Sequence, residues 1–390
     1  MTTELESSSG TSENFTPTIV AFDGLRLSES VPPPPSSSIL TLPTEIVAEI
    51  FSQYLPPYPI CPPLLGDQSP TTLTQICKLW REIAITTPML WRAIGVFLSG
   101  KTHVPQLDLK MARVWLERSQ NTALSLLLGD HRISNRPGAA LREEALLLFC
   151  SQTARWQHVA LEIPGDEEWN IQQLVQGPMP FLCDLEVRFV GNTYIDVLIG
   201  QLHAPNLFTA FLDLCNLRFV CAQIIHDLLP WSQLTMLYLS YTDIDSAVDI
   251  LGQTPNLVAC VLRFSEESRE DKASWPGAIR KFSFPRLETL ITSASFSASD
   301  QVYDLLSAFR APALRRFSID EDMIAWPDDV FSPLPAIICS MGCELDRLCI
   351  LNTASPLGSY VEALPGVAQI ELNEGTNDVS VWGSWDLFRS

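Results

Sequence analysis

Basic residues are scarce in this sequence: 25 Lys and Arg stand against 45 Asp and Glu, a formal net charge of −20 over 390 residues. So acidic a surface is repelled by phosphate backbones and anionic lipid headgroups, which argues against nucleic acid and membrane surfaces as partners. Long apolar runs are missing too, and no stretch reaches the roughly 18 residues that a membrane-spanning helix needs. Met1 to Gly10 holds neither Lys nor Arg nor an apolar block, so no secretory signal is expected there. The ten cysteines are then expected in a reducing compartment, cytoplasmic or nuclear, as small apolar fillers rather than disulfide partners. Without a signal, Asn14-Phe15-Thr16 is a chance match to the glycosylation pattern.

The residue types of catalysis are equally thin. Five histidines (103, 131, 158, 203 and 226) are scattered along the chain. Neither a Gly-x-Ser-x-Gly elbow nor His-Glu-x-x-His occurs. Cys339, Cys343 and Cys349 lie close in sequence, but there is no second ligand pair and no His between 227 and 390. A structural zinc site takes four ligands, so packing cysteines are the expectation. Gly95 to Thr102 matches the P-loop pattern letter for letter. Val96, Phe97 and Leu98 are bulky for a phosphate cradle, however, and Pro105 interrupts the helix that would start at Lys101. A short strand over Ile94–Leu98 followed by a loop is the simpler reading. No cofactor, no metal and no catalysis by the chain itself are expected.

What is present is apolar: 46% of the residues are hydrophobic and 18% charged, enough for a large core spread over two or three folding units. Residues 1–38 are Ser-rich and end in Pro32-Pro33-Pro34-Pro35, the composition of a disordered leader. Apolar Ile19 to Leu27 is its one candidate docking patch. From Leu42 to Phe51 the pattern is helical, with Pro43 in the first turn, Glu45 at the positive end of the dipole, and Leu42, Ile46, Ile50 and Phe51 on one stripe. Residues 56–70 contain six prolines and exclude a continuous helix. Leu73, Ile76, Cys77, Trp80, Ile83 and Ala84 then keep a 3.6-residue period, which predicts one further helix ending before Pro88. Residues 39–98 form a helical unit with the Pro-rich insertion 56–70; so short a unit cannot enclose its own apolar stripe. Residues 99–154 predict a linking α/β region, with helices around Leu107–Arg118 and Leu141–Phe149 and a strand at Leu124–Leu128.

Beyond it the chain repeats itself. Windows with apolar residues at positions 1, 4 and 6 open at Trp156, Leu182, Leu207, Leu234, Leu257, Leu287, Leu314, Leu345 and Val367, a mean period of about 26 residues. In six of them a proline stands two residues upstream (Pro180, Pro205, Pro255, Pro285, Pro312 and Pro365) and closes the preceding segment. Position 9 is often small and polar, as at Cys215, Thr242, Ser265, Ser295, Asp322 and Thr353. The expected architecture is α/β: a small helical unit followed by a leucine-rich-repeat-like solenoid with a parallel concave sheet over 155–375, and a tail at 376–390.

Leu42-Pro43-Thr44-Glu45-Ile46-Val47-Ala48-Glu49-Ile50-Phe51, the Cys77-Lys78-Leu79-Trp80-Arg81 segment and Thr87-Pro88-Met89-Leu90-Trp91 resemble an F-box. The likeness is to the F-box proteins of mushroom-forming fungi, which Trp115-Leu116-Glu117-Arg118-Ser119 and Arg155-Trp156-Gln157-His158-Val159 also fit, and it covers roughly residues 39–372. One departure is the lengthened loop at 56–70. The resemblance implies a target-recognition subunit of a Skp–cullin–F-box ubiquitin ligase. Its partners would be a Skp-type adaptor, through it a cullin, and a target protein. Matched by position, Leu42, Pro43, Ile46 and Ile50, with Trp80, Leu90 and Trp91, fall on the adaptor-contacting residues. The alternatives are an apolar stripe packed internally against Leu107–Arg118, and a scaffold that delivers no target.

Strand side chains alternate between faces. Residues between the buried anchors therefore project from the concave face: Thr209, Phe211 and Asp213, then Met236, Tyr238 and Ser240, then Ala259, Val261 and Arg263. Phe211, Met236 and Tyr238, bordered by Arg188 and Arg263, make a candidate target-binding cluster, because aromatic and Arg side chains dominate interface hot spots. Its alternatives are cover by a side helix or by Val381, Trp382, Trp385 and Phe388, and a register one residue off. The acidic loops 166–168, 266–271 and 320–322 read as a solvated rim.

Overall fold

The computed structural model describes residues 42–98, 104–129, 139–164, 177–190, 202–213, 229–265, 281–294, 300–325, 331–353 and 355–373. The leader, the tail, Lys101 and Thr102, and the acidic loops at 166–168 and 266–271 lie outside them. The chain divides into two compact units, Met1–Leu42 and Pro43–Ser390, and every described residue except Leu42 belongs to the second.

That unit opens with three helices: α1 (Thr44–Tyr54), α2 (Pro70–Ile76) and α3 (Lys78–Ile85). The helix expected through Leu73–Ala84 is broken in two. Ser69 caps α2, its hydroxyl accepting from the Thr71 N–H, and Pro70 occupies the first turn. Cys77 is extended (φ −155°, ψ 171°), and its sulfur accepts from the Trp80 N–H. A cap residue inside an unbroken apolar period thus starts a new helix. A 3₁₀ turn at Pro88–Trp91 closes the group.

The rest is a parallel sheet of eleven strands with helices on one face, compatible with an α/β solenoid. It comprises β1 (Ala93–Phe97), β2 (Leu124–Gly129), β3 (Trp156–Pro164), β4 (Asp184–Val190), β5 (Thr209–Asp213), β6 (Met236–Thr242), β7 (Ala259–Phe264), β9 (Thr289–Ala294), β11 (Arg316–Asp320), β12 (Arg347–Leu351) and β13 (Gln369–Asn373), side by side in chain order. A separate two-stranded pair joins β8 (Phe282–Ser283) to β10 (Phe309–Arg310). Helices stand between strands: α4 (Pro105–Arg118), α5 (Ala139–Cys150), α6 (Ile244–Leu251), α7 (Asp300–Ser307), α8 (Leu334–Met341) and α9 (Leu357–Ala363).

The expected boundaries at 98/99 and 154/155 do not separate sheets. The strands expected at Ile94–Leu98, within the helical unit, and at Leu124–Leu128, within the linking region, form as β1 and β2, and both pair into the sheet that β3 continues. Sheet growth therefore starts at Ala93, two strands before the first repeat window.

The window positions explain the register. First-position Leu182, Leu207, Leu234, Leu257, Leu287, Leu314 and Leu345 are all buried in one continuous core, as are Val159, Leu237, Leu290, Phe317 and Leu348 at the fourth position. Each of the six upstream prolines opens the two-residue turn that precedes its strand. Side-chain amides stitch neighbouring turns together. Asn206 Nδ2 donates to the Pro180 carbonyl at 2.6 Å, Gln233 Nε2 to Ala204 and Leu207 at 2.8 Å, and Asn256 Nδ2 to Ser232 at 2.7 Å. Carbonyls outside the ladder are thereby satisfied, those of buried Ala204 and Leu207 among them.

Candidate protein-interaction surfaces

Two surfaces carry the residues singled out in the sequence. The first is the outer side of the opening helices. In α1, Val47 and Phe51 turn inward and are 1% exposed, while Ile46 and Ile50 turn outward at 50% and 39%. Phe51 thus leaves the stripe on which the sequence placed it and packs its ring against Trp80, centroids 4.9 Å apart. Tyr54 continues the outward line one turn further, and Ile76, Leu79, Ile85 and Met89 are also exposed on the neighbouring elements. Leu42 and Pro43 are exposed; Trp80 is half-buried.

Leu90 and Trp91 correct the sequence reading, because they are core residues at 2% and 0% exposure. The Trp91 indole donates from Nε1 to the Ala84 carbonyl at 2.8 Å, meets Trp115 edge-on at 5.5 Å and lies under the Arg118 guanidinium at 4.4 Å. The two alternatives for the stripe are therefore split between residues: Trp91 packs on α4, while Ile46 and Ile50 stay outside.

The second surface is the sheet face opposite the main core. Parallel pairing in register sets its side chains in rows, one of them running Gly95, Leu127, Ala160, Glu186, Phe211, Tyr238, Val261, Ile291, Ser318, Cys349 and Glu371. The face-assignment read from the repeats holds, but the exposure does not. Phe211 and Tyr238 stack with centroids 4.0 Å apart and 14° between planes. Tyr238 (4% exposed), Val261 and Ile291 form a buried apolar cluster with half-buried Phe211 against it. Tyr238 is consequently a support and not an open contact. Arg188 stands over the Phe211 ring at 5.0 Å and Arg263 over Tyr238 at 5.5 Å, so both expected arginines do flank the aromatics. Arg188 also pairs with Glu186 at 2.5 Å. Met236 is half-buried, and its sulfur accepts from the Thr209 hydroxyl.

Over β1–β3 the same face is contacted by Tyr58, Pro59 and Cys61 of the Pro-rich insertion 56–70. The Tyr58 hydroxyl donates to Gln157 Oε1 at 2.8 Å, while its ring lies under the Arg92 guanidinium at 3.7 Å and edge-on to His158 at 5.3 Å. His158 is held in turn by the Asp184 carboxylate. The Ser125 hydroxyl donates to the Pro59 carbonyl at 2.7 Å. Cys61 comes so near the sheet that a Cβ on Gly95 would stand 3.2 Å from its own. Burial pushes the Cys61 thiol up to about 12, against the lowering effect of its Ser125 hydrogen bond. Burial likewise raises the Tyr58 phenol, with Arg92 opposing. Sequence reasoning treated this segment as a linker. The signal that points to it is Gly95, a glycine inside a strand pattern, which marks a close approach by another backbone.

The P-loop reading fails on the same residue: Gly95, Val96 and Phe97 sit inside β1, and the next helix starts at Pro105. Cys339 is exposed on α8, Cys343 donates to the Ile338 carbonyl and Cys349 is buried on β12, accepting from Asn373 Nδ2. Among the described residues no three His, Cys, Asp or Glu side chains group as metal ligands. No helix among them is long and apolar enough to cross a membrane. Neither the known protein-family models nor the curated proteins provide a match to this chain.

Proposed function

We propose that the chain is a non-catalytic target-recognition subunit of a Skp–cullin–F-box ubiquitin ligase. In this reading residues 42–91 are the F-box that binds a Skp-type adaptor, and the sheet is a leucine-rich-repeat-like domain that holds the target. One observation carries it: α1 is apolar on two sides, and among the described residues the Val47–Phe51 side is buried while Ile46 and Ile50 are exposed. Covering an aliphatic side chain contributes about 1.5–3 kcal/mol. Ile46, Ile50, Leu79 and Met89 are 36–50% exposed, so covering each contributes roughly half of that toward the cost of association. Leu42 and Pro43 extend the adaptor contact, Trp80 backs it from the edge, and Leu90 and Trp91 act only as its foundation. Target contact falls to the half-buried Phe211, Met236, Arg188 and Arg263, with Tyr238 beneath.

Affinity capture of the full chain, compared with an Ile46→Asp/Ile50→Asp variant of equal melting temperature, tests the reading. Adaptor and cullin recovered with the parent and lost with the variant support it. Adaptor recovered equally with both contradicts the adaptor contact. Adaptor recovered without cullin makes the protein a scaffold instead.

A further inference from the structure

The free face of β1–β3 carries Ala93, Gly95, Ser125 and Ala160, all small, with Leu127 between Gly95 and Ala160. Around that floor stand groups that each have an assigned contact with the insertion. Gln157 receives a phenol proton, Ser125 gives a proton to a carbonyl, and Arg92 and His158 hold a ring from two sides. The occupant carries five prolines in residues 56–64. Such a segment has few N–H donors to satisfy, and one of them, the Ile60 N–H, donates to the Pro57 carbonyl at 3.0 Å, closing a turn with Tyr58 and Pro59 at its centre. Small floor, aromatic slot and carbonyl donor are the parts of a peptide-recognition groove.

We infer that the free face of β1–β3 is a binding site for a Pro-rich segment that presents a Tyr-Pro pair on a turn, and that the chain's own residues 56–64 fill it. The site is independent of the adaptor reading, since none of its lining residues belongs to α1–α3. A tethered segment has an effective concentration on the order of mM. For the insertion to remain seated, its affinity as a free peptide must therefore be tighter than about 1 mM. A partner displaces it only by matching the Tyr-Pro contacts and adding more along β4. Displacement would also release the far end of the insertion, where the Gln68 N–H donates to the Tyr54 hydroxyl at 2.7 Å.

The test uses the full chain with residues 56–63 replaced by Gly and Ser at equal length, leaving core residue Leu64 in place. A labelled synthetic peptide of residues 55–64 is titrated in by fluorescence anisotropy. Saturable binding to the replaced chain, at least tenfold weaker for the Tyr58→Ala peptide and undetectable with the parent chain, is expected. A folded replaced chain that ignores the peptide up to several times that mM limit overturns the site, as does equal binding to the parent. Should the replaced chain not fold, residues 56–60 alone are replaced by Gly and Ser, and failure of that folded variant to take a peptide of residues 55–60 overturns the site as well.

Discussion

Among the described residues Ile46 and Ile50 on α1 stay exposed, whereas Phe211, Tyr238, Val261 and Ile291 on the sheet pack on one another. The sequence offers Ile46 and Ile50, and likewise Phe211 and Tyr238, as side chains for a partner. The difference is geometric. Successive helix positions are about 100° apart, so Val47 and Phe51 can anchor α1 while Ile46 and Ile50 face away. Parallel strands lie about 4.8 Å apart, so residues paired in register touch their row neighbours whether or not a partner comes. An apolar row on a sheet supplies part of its own cover; an outward line on a short helix does not.

Three perturbations break or sharpen that contrast. The largest effect is expected at Trp91, the residue whose family-based role the packing reverses. Trp91→Ala should cost about 3–5 kcal/mol in denaturant unfolding, as an emptied aromatic core site does. A change within about 0.5 kcal/mol would return Trp91 to the surface. Tyr238→Ala comes next, at about 2–4 kcal/mol, and a Phe211/Tyr238 double-mutant cycle should leave a coupling of about 0.5–1.5 kcal/mol for the stack. Near-zero values for both would mean that the sheet row is as open as α1.

The smallest effect tests the C-terminal end of the free face. Asp320 accepts from Asn352 Nδ2 at 3.0 Å, and burial raises its carboxyl above the ordinary value, with that hydrogen bond opposing. A raised acid favours folding while protonated, so its penalty is absent at low pH and grows as pH rises through the folded-state value. Asp320→Asn should therefore melt on the order of 1 °C higher at pH 7, with the gain gone at about pH 3, below the ordinary carboxylate value. A gain that is larger in acid would contradict the sign.

The fold was legible where one period dominates. The 1-4-6 windows located the strands and their core face from Trp156 onward, and alternation put Phe211 and Tyr238 on the correct side. It failed where a single residue outweighs the period, as at Cys77, which breaks a helix that the apolar spacing runs through. The first two strands were missed as part of the sheet although Trp91, Ile94 and Val96, and Ala123, Leu126 and Leu128, also keep the 1-4-6 spacing: positions 91, 123 and 156 stand 32 and 33 residues apart, longer than the later period. Exposure was the least legible property. A pattern says which face a side chain takes, but Tyr238 and Trp91 are covered by residues distant in sequence, and the insertion reaches the sheet through contacts that span about a hundred positions, from Tyr58 to Gln157.

The most direct measurement is a calorimetric titration of a Skp-type adaptor into the parent chain and into Ile46→Ala/Ile50→Ala, with Tyr238→Ala at a temperature where it is folded as the control. The outward line on α1 predicts a loss of about 2 kcal/mol, roughly thirtyfold in Kd, for the double variant, an unchanged melting temperature, and parental affinity for the control. Equal affinity of the double variant and the parent, or a double variant that melts well below it, would show that those isoleucines serve this chain's own packing and not a partner.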